Sequence, residues 1–127
     1  MTEYDALVED LKALEQPLDP LTTEEDPEMV LLPMAEDEWD TRPDTVSYGI
    51  VSLDFEAGSR RGDNVKQDVS HGGSVHLFSL VRSGAGWVNL ITATLTAYCG
   101  GAWSLNSHTY ERETGLFHWE WAFETEG

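Results

Sequence analysis

The stretch GLFHWEWAFETEG, residues 115–127, decides the fold. Aromatic rings occupy every second position at its centre: Phe117, Trp119, Trp121 and Phe123. Because side chains alternate along a strand, an extended segment presents all four rings on one face. The alternate positions are mostly polar, which is typical of a strand with one packed face and one wet or half-exposed face. The sequence therefore predicts a strand with an aromatic core face, covered by the protein's own helices or by a neighbouring subunit.

The segments before this strand predict a hairpin, a helix and a central strand. Residues 113–115, Glu-Thr-Gly, form a turn after the strand WSLNSHTYE at residues 103–111. The segment GWVNLITATLTAY, residues 86–98, has apolar side chains along one helical side, and Gly100-Gly101 ends it. The segment SVHLFSLVRSG, residues 74–84, is largely apolar on both faces, as expected of a strand in the middle of a sheet.

The N-terminal residues predict a helix. Thr2 and Asp5 have the spacing of a capping pair, and apolar residues recur at three and four positions from Tyr4 to Leu14. Pro17 stops the pattern. Residues 17–44 hold all five prolines and several acidic clusters, so we expect an acidic loop region around one short strand at residues 29–34.

A long hairpin is predicted in the middle of the chain. Apolar residues alternate from Val46 to Phe55 with a change of phase around residues 49–51, which indicates a strand with a bulge. Residues 57–73 have no sustained apolar pattern and contain four glycines, so we expect a long mobile loop joining two antiparallel strands.

The fold expected for residues 1–127 is therefore a single α+β domain of order α-β-β-β-α-β-β. It combines a mixed, mainly antiparallel sheet of four to five strands with two helices packed on one face. The helices would cover the aromatic strand from inside the subunit. At 127 residues the chain is long enough to bury a genuine core.

Charge narrows the classes of partner. The formal net charge is -17, and such a surface repels phosphates and anionic membranes, so we expect no sequence-specific nucleic-acid binding and no membrane binding. The acidic N-terminus lacks the features of a signal peptide, and the single cysteine suggests no oxidising compartment. A cytoplasmic site of synthesis is the expectation.

The residues that could carry chemistry predict no catalytic, cofactor or metal site. The four histidines, His71, His76, His108 and His118, lack the helical spacing of a zinc site, and His76 and His118 are expected to be partly buried strand residues. Cys99 lies at the C-terminal end of a predicted helix, where the negative potential raises a thiol pKa. The acidic clusters match no calcium loop and are interpreted as solvated surface.

Basic residues gather in the predicted hairpin loop. Arg60, Arg61 and Lys66 are three of only seven in the chain, and Arg61-Gly62-Asp63 is a chance-level match to an adhesion tripeptide. These residues either pair with an acidic neighbour or keep the loop soluble. The candidate subunit or partner interface comprises Arg60, Arg61, Asp63, Lys66 and Asp68.

The order of elements resembles the small tail-terminator or tail-completion proteins of long-tailed bacteriophages. The resemblance rests on YDALVEDLKAL, VHLFSLVRSG, WVNLITATLTAY and YERETGLFHWEWAFE, and it is most specific from Tyr110 to Phe117, a tyrosine and a polar turn ending in Thr-Gly-Leu-aromatic. Residues 17–44 are longer than the link expected in that family.

This resemblance implies a structural virion protein without catalytic activity. Such a subunit assembles as a homo-oligomeric ring, commonly a hexamer, on the last ring of tail tube protein, and presents a surface to the head-side connector protein. Its location is the virion tail, after assembly in the host cytoplasm. An acidic channel would repel DNA passing through the ring.

Two other classes of function remain open from the sequence. A strongly acidic protein can mimic DNA and inhibit a nucleic-acid-binding host protein, provided that its carboxylates form ordered rows. A small-ligand-binding domain could instead use the aromatic strand as a pocket wall.

Overall fold

Two helices and seven strands make up the residues that the computed structural model describes, which are residues 2–60 and 67–125. They follow one another as α1 Glu3–Lys12, β1 Glu15–Pro17, β2 Met29–Leu31, β3 Met34–Glu36, β4 Ser47–Arg60, β5 Gln67–Ser79, α2 Trp87–Cys99, β6 Trp103–Glu111 and β7 Leu116–Thr125. A short 3₁₀ turn, Gly84–Gly86, precedes α2.

Five of the strands form one sheet of order β3-β4-β5-β7-β6. The β3 strand runs parallel to β4, and the other neighbours are antiparallel. Strands β1 and β2 form a separate antiparallel pair. This confirms the predicted α+β domain with a mixed, mainly antiparallel sheet.

Helix α1 begins with the predicted cap. The Thr2 hydroxyl accepts from the Asp5 N–H at 3.1 Å, and the Asp5 carboxylate accepts in return from the Thr2 N–H at 3.1 Å. This reciprocal capping box satisfies two backbone donors that the first turn leaves without helical partners. The apolar stripe of α1 then packs into the core: Tyr4, Leu7, Val8 and Leu11.

The aromatic strand β7 faces the helices, as predicted. Trp119, Trp121 and Phe123 are buried in one cluster with residues of both helices, and Phe117 is partly buried against it. Across the sheet, Val75 lies opposite Trp121 and Leu77 opposite Trp119, so β5 supplies the neighbouring apolar row. The two helices of the same chain therefore cover the aromatic face.

The predicted hairpin loop, residues 57–73, is longer than the connection between β4 and β5, because both of its ends are paired in strands. Strand β4 continues to Arg60 and β5 starts at Gln67, with residues 57–60 paired to residues 67–70. Gly72 and Gly73 also lie inside β5. These segments show no sustained apolar alternation in the sequence, so periodicity could not reveal the pairing.

The predicted bulge lies later in β4 than expected. The register shifts between Leu53 and Phe55. Tyr48 and Ile50 lie on one face of β4 while Gly49 and Val51 lie on the other, so regular alternation continues through residues 49–51. Because β4 carries apolar residues on both faces around residues 49–51, its sequence resembles one in which the alternation changes phase.

The single strand predicted at residues 29–34 is two strands in different sheets. Pro33 lacks an N–H and separates them, and its carbonyl accepts from the Gly49 N–H at 2.8 Å. Strand β5 ends at Ser79, before the predicted boundary at Gly84. The chain then turns, and the Gly84 N–H donates to the Val81 carbonyl at 2.9 Å.

Candidate functional site

An aromatic row crosses the sheet on the face opposite the helices. Tyr48 on β4, Phe78 on β5 and His118 on β7 lie in register. The Tyr48 and Phe78 ring centroids are 5.0 Å apart, those of Phe78 and His118 are 4.3 Å apart, and both pairs are stacked. We call Tyr48, Phe78 and His118 the outer row.

The segment before β4 covers one end of the outer row. The Trp39 indole meets Tyr48 edge-on and donates from Nε1 to the Gly49 carbonyl at 2.9 Å. The Arg42 guanidinium lies 5.7 Å from the centroid of the Tyr48 ring, within the range of a cation–π contact. Residues of the acidic 17–44 region thus form part of this face.

Two histidines and a carboxylate converge at the other end of the outer row. The Nδ1 of His76 lies 2.8 Å from the Nε2 of His118 and 3.6 Å from the Oε1 of Glu120. One ligand atom from each of the three side chains lies within 4.8 Å of the others. We call His76, His118 and Glu120 the histidine cluster.

Strand register assembles the histidine cluster. Glu120 lies directly opposite His76 in the β5–β7 ladder, and His118 is two residues before Glu120 on the same face. Glu111, on β6, supplies a carboxylate oxygen 3.4 Å from the Nδ1 of His118. Three strands therefore contribute to this arrangement of two imidazoles and two carboxylates.

The His76 imidazole favours its neutral form. Burial lowers its pKa, and the neighbouring His118 lowers it further, while Glu120, Asp54 and Glu111 raise it more weakly. The side chains remain partly open to solvent, with exposed fractions of 22% for His76 and 18% for His118. The expectation that both histidines are partly buried strand residues is confirmed.

A two-stranded ribbon extends from one end of the sheet. The last pair between β5 and β7 joins His71 to Thr125, and β3 reaches only Val51 on the other side. Within the described residues, no third strand flanks the segment in which residues 57–60 pair with 67–70. We call residues 57–70 the arm, of which the structure describes the paired residues 57–60 and 67–70.

The predicted interface residues belong to the arm. Arg60 and Asp68 lie in its paired strands, whereas Arg61, Asp63 and Lys66 lie outside the described residues. In sequence, residues 57–70 hold three basic and two acidic side chains, a formal charge of +1, so the rest of the chain carries -18.

An apolar groove lies at the opposite end of the β4–β5 hairpin. It has a volume of about 410 Å³, and its lining includes Leu18, Val30, Leu31, Val46 and Trp87. Leu18, Leu31 and Val46 are exposed, although each is a large apolar residue. An exposed apolar patch of this kind is typical of a surface that binds another protein.

Cys99 is the last residue of α2, as expected. Burial raises the pKa of its thiol, and the Glu3 carboxylate raises that pKa further. A hydrogen bond with the Glu124 backbone lowers it, but less than burial raises it. The thiolate is the reactive form, so the surroundings favour an unreactive thiol.

None of the described helices is long and apolar enough to cross a bilayer.

Sequence reasoning missed the histidine cluster because its two histidines are 42 residues apart and meet only through strand register. The sequence contained only a weak signal for this cluster. His118 and Glu120 share one face of a predicted strand, and His76 lies in the strand predicted to be central, but no local pattern aligns them.

No family model matches the sequence, and no curated protein matches it. One similar solved structure is described as "Virion of native gene transfer agent (GTA) particle". It is 14% identical, with a TM-score of 0.41, over 73% of this chain and 78% of that chain. Likeness at this level carries no argument about function.

Proposed function

We propose that this chain is a structural virion assembly protein of a phage or prophage tail. It would cap the tail tube as a closed ring, with the six subunits that the family resemblance implies, and form the head-tail joining surface without catalytic activity. The proposal rests on the sequence resemblance and on one structural observation, the arm that continues beyond the sheet. It does not rest on the likeness to the gene transfer agent particle.

The arm supports assembly because its backbone is incompletely paired. A two-stranded ribbon is marginally stable alone in water, and its outer edges present N–H and C=O groups that another chain can pair. Docking on a neighbouring subunit would supply the missing packing. We expect the backbone of residues 57–60 or 67–70 to form part of that contact.

The groove supplies a different surface at the far end of the same hairpin. Strand β4 has 14 residues, so its ends are about 45 Å apart at about 3.3 Å per residue. A ring requires two unlike, complementary patches, because each subunit contacts its neighbours head to tail. We propose that the groove receives a second copy of this chain, and the arm and groove are the two patches.

Charge favours contacts between the arm of one subunit and the remainder of its neighbour over contacts between the acidic remainders of two subunits. In sequence the arm carries a formal charge of +1, whereas the remainder carries -18. Two acidic remainders repel each other, whereas the arm of one subunit adds no repulsion against the acidic remainder of its neighbour. The acidic remainder also suits a channel that DNA crosses without binding.

The alternative of a ligand pocket walled by the aromatic strand receives no support from the core. Trp119, Trp121 and Phe123 are each less than 5% exposed and pack against both helices. They therefore do not form the wall of an open cleft.

The decisive experiment shortens the arm without disturbing the sheet. Residues 57–70 are replaced by Asn-Gly, so that Glu56 and His71, which already face each other, flank a two-residue hairpin turn. We expect the wild-type chain to form closed rings at high concentration or on tail tubes, as seen by sedimentation velocity and negative-stain microscopy. The shortened chain should stay monomeric and unfold cooperatively.

A matched pair of charge reversals tests the basic residues of the arm. Arg60→Glu with Lys66→Glu should weaken ring formation, whereas Arg82→Glu with Arg112→Glu, at exposed positions outside the arm, should not. A wild-type chain that forms only closed dimers would contradict the proposal, and so would a shortened chain that still forms rings.

A further inference from the structure

The histidine cluster brings three lone pairs to one point. The Nδ1 of His118 lies 3.4 Å from a Glu111 carboxylate oxygen. In the tautomer that carries its hydrogen on Nδ1, the Nε2 of His118 retains its lone pair. Glu120 contributes a carboxylate oxygen 3.6 Å from the Nδ1 of His76. A single hydrogen on the Nδ1 of His76 can be donated either to the Nε2 of His118 or to the Glu120 carboxylate, but not to both.

A metal cation satisfies all three at once. From these contacts we propose that His76 Nδ1, His118 Nε2 and a Glu120 carboxylate oxygen bind one divalent transition metal of the zinc class. Two nitrogens about 2.0–2.1 Å from a tetrahedral zinc lie about 3.3–3.4 Å apart. The separations of 2.8 and 3.6 Å lie on either side of that value, and all three ligand atoms lie within 4.8 Å of one another, so side-chain rotations would complete the site.

The ligand set selects the kind of metal. Imidazole nitrogens suit zinc, copper, nickel and iron, whereas magnesium and calcium prefer all-oxygen sites. Three protein ligands leave the fourth tetrahedral position for water. The outer row limits solvent on one side, since the Phe78 ring stacks on His118, while the partial exposure of His76 leaves a route for the ion.

Glu111 acts as a positioning residue. A carboxylate that accepts from the second nitrogen of a metal-binding imidazole fixes the ring orientation and increases the basicity of the ligand. The Glu111 carboxylate lies 3.4 Å from the Nδ1 of His118, the nitrogen that would not bind the metal. Its removal should therefore weaken metal binding while all three ligands remain.

The test is calorimetric titration of the untagged, chelator-treated full chain with zinc chloride, and with magnesium chloride for comparison. We expect one zinc per chain, no comparable magnesium binding, and a higher melting temperature with zinc. His118→Gln and Glu120→Gln should each weaken zinc binding by at least about tenfold, and Glu111→Gln by about tenfold. His108→Gln removes an exposed histidine on the other face and should leave the affinity unchanged.

The result can also overturn the proposal. Absence of zinc binding would mean that the histidines form only a hydrogen-bonded pair. Equal affinity in Glu120→Gln, an equal loss in His108→Gln, or several weak sites that bind magnesium as well would show only general attraction to an acidic surface. Melting without metal identifies misfolded variants, and Glu120→Gln, which keeps the side-chain shape, decides the case if His118→Gln does not fold. Ring formation is not needed for any of these outcomes.

Discussion

His76 and His118, on neighbouring strands β5 and β7, meet with the Nδ1 of one 2.8 Å from the Nε2 of the other. Two imidazoles this close resist a second positive charge, which is one reason why the pKa of His76 is lowered, after burial itself. The contact between these two histidines therefore makes the stability of the folded chain depend on pH.

We predict that this pair reduces stability on mild acidification. Because the pKa of His76 is lower in the folded chain, the unfolded chain takes up the proton first as the pH falls below about 6.5. The free energy of unfolding should therefore decrease from about pH 7 downwards until His76 also protonates in the folded state. Urea unfolding with a chelator present, from pH 8 to pH 5.5, measures this slope.

The matched variants isolate the histidine contribution from that of the many carboxylates. His76→Gln should show a shallower decrease than the wild-type chain over the same window. His108→Gln should keep the wild-type slope. Identical slopes in all three chains would contradict the assignment to His76.

We predict that Gly73→Ala destabilises the sheet by about 1–3 kcal/mol, the usual cost of overpacking. A Cβ at Gly73 would lie 2.3 Å from the Ser52 carbonyl oxygen and 2.8 Å from the Phe123 ring. Backbone on β4 cannot move aside as a flexible side chain can. Thermal or urea unfolding gives the difference in free energy.

Gly101→Ala is the control for that substitution. No atom lies within 4 Å of a Cβ placed at Gly101 in the described part of the chain, so nothing must shift. Its stability should stay the same or rise by up to about 1 kcal/mol, because alanine restricts the unfolded chain. An equal loss in both variants would refute the steric explanation.

We predict that Tyr4→Phe costs less than about 0.5 kcal/mol at neutral pH, since a lost hydroxyl matters mainly through the hydrogen bonds it makes. The buried Tyr4 hydroxyl has no hydrogen-bond partner among the described residues. Its ring stacks near Phe123 with centroids 6.2 Å apart, and phenylalanine keeps that packing. Tyr4→Ala, which removes the ring, should cost about 3–5 kcal/mol.

Alkaline unfolding provides a second readout of Tyr4. Burial, with the nearby carboxylates of Glu36 and Asp37, raises the pKa of Tyr4 to about 12. The unfolded chain therefore loses the phenol proton first, and stability falls as the pH rises from about 10 to about 12. Tyr4→Phe should remove part of that fall, and an unchanged alkaline profile would argue against it.

We predict that Thr2→Ala destabilises the chain by about 1 kcal/mol, the usual contribution of a helix cap. The variant loses the bond from the Asp5 N–H, and the pKa of Asp5, which the Thr2 backbone and hydroxyl lower, should rise towards its ordinary value. Thr2→Ser keeps the hydroxyl and should match the wild type. Urea unfolding and carboxyl NMR titration measure the two effects.

The sequence by itself determined the features that depend on local periodicity and turn chemistry. The capping pair at Thr2 and Asp5 placed the start of α1, and the alternating rings of β7 identified the face that the helices cover. These signals are local because one repeat of 3.6 or 2 residues defines which side of an element is buried. The α+β class and the broad order of elements followed from them, although β1 and the division of residues 29–34 into β2 and β3 did not.

Only the tertiary structure decided the register between strands. His76, His118 and Glu120 become neighbours because β5 and β7 pair with Glu120 opposite His76, and a shift by one residue would turn these side chains to the other face. The arm was equally hidden, since its paired residues show no sustained apolar alternation in the sequence. Contacts between residues distant in sequence depend on how the whole core packs, and neither short pattern contains that information.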